Sequence, residues 1–352
     1  MTTTLPVRLA GLGAYLPAHV ETNDDLATHL DTSDAWIRSR TGIGQRHVAA
    51  PDEATSDLAL AAGKAALADA GVGVEDLGAV VVATMTPDHL TPSTAALVAH
   101  ALGTEVAAID VNAACSGFVA GLRVAGALAA TGAGPVLLIG AETMTRIIDP
   151  DDRGTRILFG DGAGATVVVA DPDAALGPFD LGSDASDSSM LSTPGFGTRQ
   201  VPTPQSTAEG DHFVHMRGGD VYRHAVARMT ASSKAVLAAA GVAVDDIDLL
   251  VGHQANARIL DAVVSRLGID PARSHLTVAD HANTSAASVP LALTDARDRG
   301  RMQPGDRVLL TAFGGGLTWG SCLLTWNPGL PAEPAAPSAA TTAPAADAPE
   351  TA

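Results

Sequence analysis

Residues 64–76, KAALADAGVGVED, and residues 234–246, KAVLAAAGVAVDD, are one segment written twice. They agree at nine of thirteen positions with a constant offset of 170. Each copy reads as an Ala-rich helix halted by Gly, a short acidic turn, and an apolar strand: LGAVVVAT from Leu77 and IDLLVGHQ from Ile247. Because the strands keep register too, shared Ala content alone does not explain the match. A second echo joins GPVLLIGAE (134–142) to DRVLLTAFG (306–314). Helices alternate with strands in both copies, which predicts two halves of like α/β topology, 1–175 and 176–328, with mixed sheets covered by helices.

The rest of the chain narrows the function classes. Its 352 residues are 46% hydrophobic and 17% charged, enough to bury a large core. A net charge of −18 argues against nucleic acid, which needs a basic face, and against anionic membrane surfaces. Two Cys make no disulfide framework and show no metal-ligand spacing, which fits a reducing compartment. The N-terminus lacks the pattern of a signal peptide, and Arg123 interrupts the longest apolar run, so a cytoplasmic protein is expected. Residues 329–352, rich in Ala and Pro, read as a disordered tail. From Asp171 to Gly218 the periodicity fades into Gly, Ser, Pro and Thr, and this stretch is expected to run over the active site without regular elements of its own.

Three residues stand where chemistry is available. In IDVNAACSGFVAGLRVAGALAATGAG an apolar strand turns near Asp110 towards a long helix from about Ser116, with Cys115 at the junction. The positive end of that helix would lower a thiol pKa from about 8.5 and favour the thiolate. His253 follows the strand Leu249–Val251 in VGHQANARI, and Asn283 lies in the small-residue turn HANTSAASVP. Singly, each has a plainer reading: a buried core thiol, a satisfied core histidine, a helix cap. Together they bring one residue from the first half and two from the second, as a site at the seam would. A thiolate would take up an acyl group, and two neutral donors would stabilise an oxyanion or enolate.

In this order the motifs are familiar. DTSDAWIRSRTGI (31–43), VNAACSGF (111–118), DRGTRILFGDGAGA (152–165), HQAN (253–256), NTSAAS (283–288) and AFGGGLTWGS (312–321) resemble those of β-ketoacyl-acyl carrier protein synthase III in the thiolase superfamily. The similarity runs from about Leu9 to Trp326. It implies a thiolase-like fold, two duplicated halves with five-stranded mixed sheets in an αβαβα layering. It also implies a homodimer that condenses a short acyl-CoA with malonyl-acyl carrier protein, starting fatty-acid or polyketide chains without metal or external cofactor.

The resemblance assigns roles as well. Cys115 would be the nucleophile, His253 and Asn283 the enolate donors, and the N–H groups of Cys115 and Gly315 the oxyanion hole. Thr32, Trp36, Arg40, Arg153, Gly218 and Asn256 would bind coenzyme A. Arg258, extended by Arg223 and Arg266, would dock the acidic carrier. Gly314 to Gly316 would let backbone approach the reacting carbonyl. Cys322, in a strand-like segment, is expected to be inert core.

Two departures stand out. Ala282 replaces the usual Gly before the catalytic Asn, and HLTP (89–92) lacks the aromatic that a partner subunit often lends to the acyl pocket, leaving Thr91 in its place. With Tyr222 and Phe313 as the other pocket residues, a primer longer or more branched than acetyl is expected. A relative that passes the acyl group to an oxygen, nitrogen or different carbon acceptor is the alternative reading.

Overall fold

A computed structural model describes residues 4–195 and 197–330. The tail expected over 329–352 therefore lies almost wholly outside the described residues. Ten strands build two sheets. The first half supplies β1 (Val7–Tyr15), β2 (Ala79–Ala83), β3 (Ala107–Val111), β4 (Val136–Thr143) and β5 (Asp161–Ala170). The second supplies β6 (Leu176–Ser183), β7 (Leu249–Gly252), β8 (Ser274–His275), β9 (Arg307–Gly314) and β10 (Thr318–Thr325).

The two sheets have one topology. The first runs β3-β2-β4-β5-β1 and the second β8-β7-β9-β10-β6. In each, the first two pairings are parallel and the last two antiparallel. Ala79 stands beside Val136, and at the repeat offset Leu249 stands beside Val308. The sequence repeat is thus a structural duplication in register.

Helices separate and cover the sheets. α3 (Gly117–Ala130) and α6 (Ser288–Asp298) lie between them, and Phe118, Leu122, Val289 and Leu293 join strand residues from both sheets in one dry core. Outside the first sheet, α2 (Thr55–Ala70) buries Leu58, Ala62 and Ala66 against Leu137, Ile139 and Val167. Outside the second, α4 (Gly218–Ala240) and α5 (Ala257–Leu267) bury Val226, Met229, Ile259 and Val263 against Leu250 and Leu309. This is the expected αβαβα sandwich, and the Ala and Gly content permits it. At Gly140 a Cβ would lie 2.5 Å from the Ala286 carbonyl oxygen, so only Gly lets β4 meet the other half so closely.

One expectation is corrected. The stretch from Asp171 is not devoid of regular structure, because Leu176–Ser183 is an edge strand paired antiparallel with β10. Its Gly and Pro masked the alternation, and an edge strand tolerates them because, beyond the bridge of Leu176 to Leu5, it pairs with β10 alone. Beyond it, Leu191–Ser192 and His215–Met216 form a short ribbon that does lie over the site.

Candidate active site

The duplication places equivalent turns at the seam. Ala114–Ser116 and Ser285–Ala287 are both 3₁₀ turns feeding a central helix, α3 and α6. Each starts at a left-handed residue, Ala114 at φ 46° and Ser285 at φ 48°. Cys115 in one half thus stands where Ala286 stands in the other. The turns face each other, and one of them carries the thiol.

Cys115, His253 and Asn283 line one cavity of about 430 Å³, together with Arg40, Gly218, Tyr222, Asn256, Arg258 and Phe313. A second cavity of about 290 Å³ opens on the other side of Cys115, lined by Met85, Met144, Phe159, Leu191, Val214 and Gly315. Cys115, Phe159 and Leu191 line both cavities, and the first, bordered by Arg40 and Arg258, is the entrance cavity. Tyr222 and Phe313, expected at the acyl pocket, open onto the entrance cavity. Thr91 is exposed on its loop and lines neither cavity.

The electrostatics correct a second expectation. Burial pushes the Cys115 thiol up to about 12, against the expected thiolate, while the Ser285 hydroxyl offsets only part of that rise. Burial likewise holds His253 down to about 3, so its ring is neutral. Cys322 is buried in the central core, where loss of water raises its thiol too.

Hydrogen bonds fix the other two groups. His253 Nδ1 lies 2.6 Å from Ser288 Oγ, and the Gln254 N–H donates to the same oxygen at 3.3 Å. The Gln254 side chain donates to the Gly252 and His275 carbonyls and accepts from the Thr277 N–H, locking the strand end. Asn283 is held by its backbone to Leu158 and Gly160, and its Oδ1 accepts from the Ser285 N–H at 2.9 Å. Thr318 Oγ1 meets Ser116 Oγ and the Ala113 and Gly315 carbonyls, tying the cysteine turn to the Gly-rich turn. Sequence reading missed Ser288, Gln254, Ser285 and Thr318. Their signal was only that they sit inside or beside the quoted motifs.

At the cavity mouth, α1 (Asp34–Thr41) carries an aromatic and cationic surface. The Arg153 guanidinium lies 4.9 Å and that of Arg40 6.0 Å from the Trp36 ring centre. Asn256 caps α5 through the Arg258 N–H and donates to the Arg40 carbonyl, joining the two helices. The Thr32 hydroxyl is buried without a partner among the described residues. Arg258 sits 6.0 Å from the Tyr222 ring centre, whereas Arg223 pairs with Asp220 and Arg266 lies in the last turn of α5, outside both cavities.

Comparison with known proteins follows the same lines. Residues 109–185 match the model of 3-oxoacyl-[acyl-carrier-protein] synthase III, and residues 237–326 match that of its C-terminal part. The β-ketoacyl-[acyl-carrier-protein] synthase III of Nitratidesulfovibrio vulgaris is 50% identical over 327 residues, 91% of this chain and 99% of that one. The crystal structure of 3-oxoacyl-(acyl carrier protein) synthase III from Pseudomonas aeruginosa PAO1 matches with a TM-score of 0.85 at 44% identity, covering 93% of this chain and 100% of that one. A priming β-ketosynthase from the R1128 polyketide biosynthetic pathway matches at 34% identity and a TM-score of 0.85, covering 93% and 98%. Half of all residues shared over nearly the whole length, on a duplicated thiolase-like sandwich, leave one assignment: this chain belongs to the 3-oxoacyl-[acyl-carrier-protein] synthase III family, condensing enzymes of the acyltransferase class.

Proposed function

We propose that this enzyme starts fatty-acid or polyketide chains by decarboxylative condensation of a short acyl-CoA with malonyl-acyl carrier protein. The observation that carries this reading is the convergence of Cys115, His253 and Asn283, from both halves, on one cavity whose mouth bears Trp36 between Arg40 and Arg153. Trp36 offers a flat face to the adenine, and the guanidiniums suit its phosphates. Gly218 and Asn256 line the channel down to the thiol.

Cys115 attacks the acyl-CoA carbonyl, and the thiol proton leaves with coenzyme A. The oxyanion is received by the N–H groups of Cys115 and Gly315. Malonyl-carrier protein then enters, docked by Arg258 at the mouth, with Arg223 and Arg266 extending the basic surface away from it. Loss of carbon dioxide leaves an enolate on its thioester, held by His253 and the Asn283 amide. The enolate carbon bonds to the acyl carbonyl, and the Cys115 thiolate departs and takes a proton. A neutral His253 suits this work as a donor, being too weak a base to carry the proton traffic.

The cavity of about 290 Å³ beside Cys115 takes the primer. Its Met85, Met144, Leu191 and Val214 walls suit an aliphatic chain longer or more branched than acetyl. A homodimer is supported by the edge strand β3, where Ile109 is 42% exposed, and by the loop 89–92, where Leu90 is 90% exposed. Through such a dimer Thr91 would reach the partner's primer cavity. Two free cysteines support a cytoplasmic location, and no helix among the described residues is long and apolar enough to cross a membrane.

The test is a set of acyl-CoAs presented with malonyl-carrier protein to the purified enzyme. Carbon dioxide release with a β-ketoacyl-carrier product is expected. Acyl transfer to an alcohol or amine without carbon dioxide would overturn the reading.

A further inference from the structure

The carboxylate of Glu142, at the end of β4, is fully buried at the seam, and all the donors around it are neutral. Four come from its own half: the Thr84 hydroxyl at 3.2 Å, the Met85 N–H at 3.2 Å, the Thr86 N–H at 3.1 Å and the Thr86 hydroxyl at 2.6 Å. Two come from the other half: the Ser285 hydroxyl at 3.0 Å and the Ala286 N–H at 3.4 Å. Only a carboxylate offers acceptors at both oxygens with no proton of its own to place. An amide would turn an N–H₂ towards one set of donors and leave them unmatched.

The groups so held belong to the site on every side. Ser285 gives its own N–H to Asn283 Oδ1, which leaves the Asn283 N–H₂ as the free end of that amide. Its hydroxyl also lowers the Cys115 thiol, which burial and, to a smaller degree, the Glu142 charge raise. Met85 lines the smaller cavity beside Cys115. Burial raises Glu142 itself to about 7, and the hydrogen bonds from Thr86, Met85, Ser285 and Ala286 oppose that rise.

We propose that Glu142 is a positioning residue for the condensation step, clamping the Asn283–Ala286 turn of one half to the Thr84–Thr86 turn of the other so that the Asn283 amide faces the acylated thiol. The inference rests on the condensation reading above. It touches no substrate and acts through Ser285.

The experiment compares Glu142→Gln, Glu142→Asp, Asn283→Ala and the Glu142→Gln/Asn283→Ala double variant with wild type. Cys115 acylation by acyl-CoA and decarboxylation of malonyl-carrier protein are measured separately. Glu142→Gln is expected to slow decarboxylation about tenfold or more while acylation stays within about threefold, since small displacements of a stabilising donor cost rate steeply. In the double variant it should add little to the Asn283→Ala loss, because both act on one amide. Glu142→Asp, which keeps an acceptor-only group, should recover part of the rate.

Parallel loss in both half-reactions, full additivity in the double variant, or no effect would overturn the assignment. If Glu142→Gln does not fold, the aspartate variant decides: selective loss of decarboxylation supports the proposal and parallel loss overturns it. A wild type that loads acyl groups but releases no carbon dioxide overturns the condensation reading and this assignment with it. A normal wild type with additive variants overturns this assignment alone.

Discussion

His253 Nδ1 and Ser288 Oγ lie 2.6 Å apart, both buried, one at the end of β7 and the other at the start of α6. Since Ser288 Oγ accepts the Gln254 N–H, its own proton is free to point at Nδ1. The ring proton then sits on Nε2 and serves as a donor within the cavity. The tautomer follows from a hydroxyl on α6 and a backbone amide, not from a neighbouring carboxylate.

Ser288→Ala should therefore disturb condensation and spare loading. A loss of about tenfold to a hundredfold in malonyl-carrier decarboxylation is expected, below the cost of deleting a direct donor. Acylation of Cys115, followed by intact-protein mass spectrometry, should change little. The wild-type decarboxylation rate should also show no histidine inflection between pH 5.5 and 8, because burial holds His253 near 3. An inflection there that disappears in His253→Ala would contradict the neutral-donor role.

Cys115 is expected to react as a thiol that ionises late. With its pKa pushed up to about 12, the thiolate fraction grows about tenfold per pH unit across the whole neutral range. Alkylation by iodoacetamide should accordingly keep rising from pH 6 to pH 9 without a plateau. A plateau below pH 8 would show that the turn and helix end outweigh burial after all. Cys115→Ser should abolish the acyl adduct, and no label should appear on Cys322.

Ala282 occupies φ 56° and ψ −158°, a region open almost solely to Gly. Its methyl is buried with Leu26, Ile37 and Val278. Removing one buried methyl costs about 0.8 kcal/mol, while relief of the backbone strain returns about 1–3 kcal/mol. The freer unfolded chain of the Gly variant costs a further ~0.4–1 kcal/mol. Strain in the upper part of its range exceeds both, so Ala282→Gly should raise the melting temperature. A lower melting temperature in calorimetry would show that the methyl contact matters more than the backbone.

Arg258 lines the entrance and leans over Tyr222, on a protein whose net charge of −18 repels an acidic carrier at long range. Arg258→Glu should raise the KM for malonyl-carrier protein, more at low salt where screening is weak. Loading by a small acyl-CoA should hold. Equal loss in both half-reactions would assign Arg258 to structure instead.

The asparagine and histidine show a division of labour that the same assays resolve. His253→Ala and Asn283→Ala should each lower decarboxylation by about 10²–10³ and leave loading largely intact, since the oxyanion hole is backbone. Equal losses in loading would refute that division.

The order of strands and helices was legible because periodicity is local: the repeat at 64–76 and 234–246 names both halves and even their register. The motifs around Cys115, His253 and Asn283 were legible for the same reason, each being a short turn after a strand. The edge strand Leu176–Ser183 was not, since Gly and Pro hide an alternation that only pairing with β10 makes visible. Neither was the state of the Cys115 thiol. A helix end can be read from neighbours in sequence, but the burial that raises the thiol comes from packing by both halves. Ser288 and Glu142 were equally hidden, one among small residues and the other at a strand end. Glu142 meets Ser285 across 143 residues of chain, and hydrogen bonds reach about 3 Å. The sequence by itself determined two halves and three reacting groups, while tertiary packing alone decided which polar atoms hold them and in what charge state, because those depend on distance and lost water rather than on order along the chain.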